Sequence, residues 1–410
     1  LSRHAHPHVP PGIIALLATA CGVIAANIYY AQPLVGPISA ALGLSPGAAG
    51  LIVTMTQIGY GLGLLLLVPL GDLFENRKLV LVLMGMGTLA LLGAAASTHP
   101  LPFLTSALFI GLGSVAVQVL VPYSAHLVPE AVRGRVVGNV MSGLMLGIML
   151  ARPVSSFVTQ LSSWHVVFVL SAIGMVALGI VLGRALPART PVSRMNYLQL
   201  LRSMGQLALR TPILQRRAVY QACLFGAFSL FWTTTPLLLA GPGFHLSQAG
   251  IALFALAGVA GAVAAPLAGR MADLGWSRAT SGLSMLAVAA AFLMTHVGTA
   301  GSTLSLALLV AAAIVLDFGV SANLVVGQRA IYSLGAESRS RLNGLYMATF
   351  FAGGAIGSAL GGWAFARGGW ALTSWIGFAL PVLALLHWLT EPGLIRKKSL
   401  PPKEAGRSPA

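Results

Sequence analysis

Twelve times along this chain a run of about twenty or more mostly apolar residues is bounded by charges, proline or glycine: 13–37, 47–70, 79–97, 101–127, 136–160, 165–184, 218–240, 247–269, 279–297, 303–330, 342–366 and 371–390. A helix needs about 20 such residues to cross the hydrocarbon core of a bilayer. With 8% charged and 57% hydrophobic residues, the 410-residue chain has too little polar surface to coat a soluble fold. In lipid every backbone N–H and C=O must be satisfied within the protein, which leaves helices for runs of this length. The expectation is an all-α integral membrane protein with twelve transmembrane helices. The first run continues through Asn27 and Gln32 without a small-residue cleavage site, so it reads as a span and not as a removed signal peptide.

A formal net charge of +16 would suggest a nucleic-acid partner in a soluble protein. Here its placement gives another meaning. Arg77 and Lys78, Arg133 and Arg135, Arg270 and Arg278, and Arg339 and Arg341 all follow even-numbered runs, whereas Arg367 stands on the opposite side. Cytoplasmic loops carry this excess, so both termini are expected in the cytoplasm of a cell with a bacterial inner membrane, with anionic lipid as a secondary attraction and no nucleic acid bound. Cys21 and Cys223 lie inside apolar runs and indicate no disulfide framework.

The longest connection, 185–217, carries six arginines and divides the chain. Its Gln199, Arg202, Ser203, Gln206 and Arg210 recur at helical spacing, with Leu198, Leu201 and Leu209 off that face, which predicts an amphipathic helix on the membrane surface. The expected organisation is a tail over 1–12, a six-helix bundle over 13–184, the linker 185–217, a second bundle over 218–390 and a tail over 391–410. The halves repeat at an offset of about 200: Ala49-Gly50 corresponds to Ala249-Gly250, Pro33-Leu34 to Pro236-Leu237, Asp72 to Asp273, Arg77 to Arg278, and Arg133-Gly134-Arg135 to Arg339-Ser340-Arg341. Duplicated halves with a site at their interface are a transporter architecture.

The loop after the second run reads Leu70-Gly71-Asp72-Leu73-Phe74-Glu75-Asn76-Arg77-Lys78, and the loop after the eighth reads Gly269-Arg270-Met271-Ala272-Asp273-Leu274-Gly275-Trp276-Ser277-Arg278. Both resemble the loop signature of the major facilitator superfamily, Gly-x-Leu-Ala-Asp-Arg-x-Gly-Arg-Arg, with Asp72 and Asp273 at the acidic place and Arg77 and Arg278 at a basic one; Val68 and Glu75 stand where it has Gly. An acid ending one helix and a base opening the next can bridge helices and lock a conformation, so these four residues are expected to gate. The fifth run offers Gly138, Gly147, Ala151, Arg152, Ser155 and Ser156, and the eleventh Gly344, Gly353, Gly357, Ser358, Gly361 and Gly362. This spacing is similar to the superfamily's antiporter signature, Gly-x8-Gly-x3-Gly-Pro-x2-Gly-Gly; the better copy is in the eleventh run, and Arg152 replaces the proline in the fifth. Ala107 stands where the family often has an arginine in the fourth helix, and Asn27 where many drug antiporters carry an acid. The resemblance covers nearly the whole chain and implies the major facilitator fold: two pseudo-symmetric six-helix bundles around a cavity lined by helices 1, 4, 7 and 10. The twelve-helix drug and metabolite efflux branch is the part of the family that it resembles.

Two charges lie deep in apolar runs. Asp317 sits about fourteen residues into the tenth, roughly 21 Å at 1.5 Å per residue, and Arg152 is similarly deep in the fifth. A charge at such depth costs about 2.5–3.5 kcal/mol, which makes function the default reading. A carboxyl that meets the arginine in some conformations and not in others changes its proton affinity between them, the minimum device for proton coupling. Asn27 and Tyr30, Gln57 and Tyr60, Gln118 and Asn323 lie at similar depth and, with Phe228 and Trp232, are candidates for a pocket of aromatic and hydrogen-bonding groups.

The His4-x-His6-x-His8 run reads as terminal sequence, so no metal is expected. No catalytic constellation or Walker-type phosphate loop occurs, so neither enzymatic activity, a cofactor nor ATP is expected. These observations lead to a monomeric secondary transporter exporting a small organic compound in exchange for protons. The alternative is uptake or facilitated diffusion of a small metabolite, with Arg152 holding an anion and Asp317 as its partner.

Overall fold

The computed structural model describes residues 11–191, 195–260, 267–271, 274–299, 301–335 and 338–391. Every regular element among them is helical: α1 Pro11–Ala26, α2 Val35–Leu42, α3 Leu51–Leu66, α4 Asn76–Ala95, α5 Pro100–Ser114, α6 Ala116–His126, α7 Glu130–Leu161, α8 Trp164–Ala185, α9 Tyr197–Arg210, α10 Pro212–Ala240, α11 Gln248–Ala255, α12 Ser277–Met294, α13 Thr303–Tyr332 and α14 Arg339–Leu389, with short 3-10 turns between some of them. Proline opens α1, α5 and α10, where a missing N–H costs nothing. Asn196 and Gln199 close a capping box at the start of α9.

Nine helices among the described residues are long and apolar enough to cross a membrane, fewer than the twelve apolar runs. In the first run and the last two the difference has a physical cause. The 51-residue α14 covers the last two runs, joined where Gly368 and Gly369 leave helical geometry; Gly369 has φ +57°, a left-handed conformation that a side chain disfavours. The first run is divided, because the chain unwinds after Ala26 and a 3-10 turn, Gln32–Leu34, with Pro33 in it, precedes α2. Of the eighth run, the described residues give the helix Gln248–Ala255 and a 3-10 turn over Leu256–Ala260, and the run continues outside them.

Close packing recurs in both halves. A Cβ on Gly22 of α1 would collide with the backbone of Gly143 and one on Gly147 with that of Gly22; a Cβ on Gly353 or Gly357 of α14 would collide with Ala222 or Gly226 of α10. Helices that approach this closely need small residues at the crossing.

The halves meet along α3 and the first part of α14, which run antiparallel. Gly50 packs on Ser358 and Gly362, the Thr54 and Ser358 hydroxyls share a 2.8 Å hydrogen bond, the Tyr60 and Phe351 rings lie 4.4 Å apart, and Leu64 is near Gly344. Away from the linker, the Ala249 N–H donates to Gln160 Oε1 at 3.2 Å and Gly36 packs near Leu237. On the linker side, Leu200 and Met204 of α9 are buried, Tyr197 Oη donates to Leu66 O at 2.8 Å and Arg341 Nη1 donates to Ser203 Oγ at 2.8 Å. The expected surface helix is therefore docked on one face across both halves, while Leu198 and Leu209 stay 75% and 80% exposed.

Candidate functional site

Arg152 of α7 and Asp317 of α13 are 2% and 4% exposed, deep among helices from both halves. Arg152 Nε donates to Gln32 Oε1 at 2.7 Å. Its guanidinium carbon lies 4.4 Å from the Trp232 ring centroid, 5.0 Å from Phe228 and 5.3 Å from Tyr29. Each such contact, when desolvated, contributes about 2 kcal/mol. Asp317 Oδ1 accepts from Trp232 Nε1–H at 2.8 Å. Acid and base border the same small gap: a Cβ on Gly258 would lie 3.0 Å from Asp317 Oδ2, 3.1 Å from Arg152 Nη1 and 3.2 Å from Trp232 Cζ2. No ion pair within 4.0 Å joins Arg152 to Asp317 among the described residues. The tryptophan between them binds the carboxylate with its edge and the guanidinium with its face.

The unwound part of the first run supplies Tyr29 and Gln32, α7 supplies Arg152, α10 supplies Phe228 and Trp232, and α13 supplies Asp317. The site therefore takes its base from one half and its acid from the other. Two of its donors, Arg152 Nη2 and Gln32 Nε2, are buried without a hydrogen-bond partner among the described residues.

A second group lies beside it. Gln57 Nε2 donates to Ser229 Oγ at 2.8 Å across the halves, and Gln118 Nε2 donates to Tyr60 Oη at 2.9 Å. Phe225 stacks on Phe350 at 3.6 Å and on Phe228 at 5.1 Å, linking this group to the ring over Arg152. Gln57, Tyr60, Gln118, Phe228 and Trp232 are thus brought together around the junction of the halves.

Three other candidates face elsewhere. Asn27 Oδ1 accepts from Ser171 Oγ, tying the first run to α8 within one half. Tyr30 lines a groove of about 110 Å³ between α1 and α7 with Gly22, Gly147 and Val154. Asn323 Nδ2 donates to Gln221 Oε1 at 2.7 Å, within the other half. Asn27 and Tyr30 lie in the unwound stretch after Ala26, and for Asn323 the reason is helical register, in which a step of one residue turns a side chain by about 100°. Tyr29, Gln32, Phe225, Ser229, Gly258, Phe350 and Phe351 were missed; Pro33, which breaks the first helix beside Gln32, was the signal available for two of them.

Among the described residues, Asp72 and Arg77 form no ion pair with each other within 4.0 Å. Arg77 Nη1 donates to Leu186 O at 3.0 Å, and its Nε is 3.8 Å from Glu75. Asp72 lies within electrostatic reach of Arg189 and of Arg341, the latter from the opposite half. Arg278 donates to Glu391 O at 3.1 Å and lies over the Trp388 ring, so it secures the end of the last helix. Asp273 lies outside the described residues, as do the terminal histidines. Of the antiporter-like glycines, Gly147, Gly353, Gly357 and Gly361 pack tightly on neighbouring helices, Gly344 lies near Leu64 and Met204, and Gly138 has nothing within 4 Å of where a Cβ would stand.

The sequence profile of the Major Facilitator Superfamily matches residues 16–306 and, separately, 218–410. A protein of Escherichia coli O157:H7 named uncharacterized transporter YgaY is 38% identical over 378 residues, covering 92% of this chain and 95% of that one. Among solved structures, the nucleoside transporter NupG superposes with a TM-score of 0.75 at 14% identity, covering 92% of this chain and 99% of NupG. A peptide transporter, POT, in complex with alafosfalin gives 0.72 at 18% identity, covering 94% and 95%. At these identities the two structures speak for the fold.

Proposed function

This chain belongs to the major facilitator superfamily of multi-pass membrane transporters, and on that premise we propose that it exports a small organic compound across a bacterial inner membrane in exchange for protons. The observation that carries the reading is the buried Asp317 and Arg152, contributed by opposite halves and adjacent without a closed ion pair. Alternating access parts the halves first on one side and then on the other. Arg152 moves with α7, so Asp317 gains and loses a cationic neighbour during the cycle and its proton affinity changes in step. Proton binding is thereby tied to the direction in which the site opens. Gln57, Tyr60 and Gln118, with the Phe225 stack, are the proposed contacts of the transported body; Asp72, reaching toward Arg341, is the proposed gate on the linker side, with Arg77 anchoring its loop. One chain supplies both halves of this site, which supports action as a monomer, and the arginines that follow the even-numbered runs support termini on the cytoplasmic side.

A second reading, uptake or facilitated diffusion of a small anionic metabolite, is favoured by one observation: Arg152 Nη2 and Gln32 Nε2 are unpartnered donors held next to each other by the Arg152–Gln32 bond. Counterflow in proteoliposomes with pH gradients imposed in both orientations separates the two. Export by exchange predicts accumulation that reverses with the gradient. Asp317→Asn, which resembles the permanently protonated acid, should fold yet lose gradient-driven accumulation. Uphill transport by that variant with ordinary pH dependence would falsify proton coupling at this residue.

A further inference from the structure

A guanidinium already occupies the centre of this site, enclosed by three aromatic rings. Its enclosure is divided. Tyr29 belongs to the same half as Arg152, while Phe228, Trp232, Asp317 and Gly258 belong to the other. Three rings lie within 5.3 Å of the Arg152 guanidinium carbon, while Nε has a partner in Gln32 and Nη2 has none among the described residues. When the halves part, Arg152 and Tyr29 leave with their own bundle. Two aromatic rings, a buried carboxylate held by Trp232 and Gly258 beside it remain behind, without the cation that they enclosed.

We propose that this half-cage receives a flat organic cation of the guanidinium or amidinium class, and that Arg152 is its tethered competitor. The inference rests on the reading of this site as the transport site. Flatness matters because a delocalised, weakly hydrated guanidinium can stack on a ring and present an N–H edge to a carboxylate, whereas a compact ammonium holds its water and cannot lie flat. A Cβ at Gly258 would stand about 3 Å from the acid, the base and the tryptophan, so only glycine leaves the space that the flat guanidinium of Arg152 now fills, and that a planar cation would take in its place. Three cations then compete for one carboxylate: the proton, the substrate and Arg152. Among the described residues, Arg152 and Tyr29 are the charged or titratable groups that face Asp317. Substrate and proton exclude each other, as exchange requires. With neither bound, Arg152 returns and closes the cage.

Binding of radiolabelled benzamidinium to the purified full-length protein tests this. A tethered competitor lowers apparent affinity by the fraction of time that it occupies the cage, so Arg152→Ala should bind benzamidinium about tenfold or more tightly than the wild type. Acidification should weaken wild-type binding, Asp317→Asn should abolish it, and benzoate should not compete. Where Arg152→Ala fails to fold, Arg152→Lys keeps the charge but loses the flat stack and should still bind several-fold more tightly than the wild type. Equal affinity in the wild type and the folded variant overturns the proposal. Binding of benzoate that depends on Arg152 does so too, in favour of an anionic substrate. Persistent pH-driven exchange of other compounds without benzamidinium binding overturns the cation class and leaves the exchange mechanism standing.

Discussion

Gly258 is where a single atom matters most. An added Cβ would lie within 3.2 Å of Asp317, Arg152 and Trp232, three groups already engaged with one another. Overpacking of this kind costs about 1–3 kcal/mol and forces a side chain to move. Gly258→Ala should lower thermal stability in detergent and reduce gradient-driven flux, whereas Gly269→Ala, with nothing within 4 Å of its Cβ position, should change neither by more than about 0.5 kcal/mol or its equivalent in rate. An unchanged flux in Gly258→Ala would mean that the gap between acid and base has no part in transport. The two deep charges were legible in the sequence because apolar runs make any charge conspicuous. Their partners were not: Gln32 and Trp232 are ordinary residues for such runs until the fold brings them to the guanidinium and the carboxylate.

Among the elements, α1 with α7 and α10 with α14 cross closely through glycine, as α3 and α5 do at Gly59 and Gly111. The spacing of Gly138 and Gly147 in one run and of Gly344, Gly353, Gly357 and Gly361 in another was visible in the sequence, but spacing does not reveal which glycine faces a neighbour. Gly147 and Gly357 sit at backbone crossings, and Gly138 stands in open space. Melting curves should therefore rank the alanine variants: Gly357→Ala and Gly147→Ala well below the wild type, each destabilised by about 1–3 kcal/mol, and Gly138→Ala within about 0.5 kcal/mol of it. Equal losses at all three would contradict the packing described above. The linker helix gives a related lesson. Its amphipathic spacing predicted a surface helix, and Leu198 and Leu209 are exposed, yet Ser203 on the expected polar face meets Arg341 and the neighbouring Leu200 and Met204 are buried.

For the whole molecule, the question is how two halves joined along α3 and α14 can part. Thr54 and Ser358 lie on either side of that seam with their hydroxyls 2.8 Å apart, away from Arg152 and Asp317 in sequence and in contacts. A variant carrying both Thr54→Cys and Ser358→Cys should form a disulfide on oxidation, because the replaced oxygens are already in contact. Oxidised protein in proteoliposomes should lose most of its transport and regain it on reduction. Full activity with the cross-link formed would show that this seam stays closed through the cycle and that the halves part elsewhere. The near-repeat at an offset of about 200 appears here as the matching of Gly22 and Gly147 with Gly226, Gly353 and Gly357.

The sequence by itself determined the solvent, the helical backbone and the division into two related halves, because each depends on composition and spacing: long apolar runs with few charges must satisfy their own backbone groups in lipid, and a repeated pattern folds twice. It also singled out Asp317 and Arg152. Only the tertiary structure decided that these two would share a tryptophan instead of an ion pair, that Tyr29 and not Tyr30 would face the guanidinium, and that Asn27 and Asn323 would be spent on contacts within their own halves. The physical reason is angular. A helix turns about 100° per residue, so an unwound stretch before Pro33 or a rotation of some tens of degrees in a neighbouring span changes which side chain reaches the centre, while leaving the pattern of apolar runs untouched.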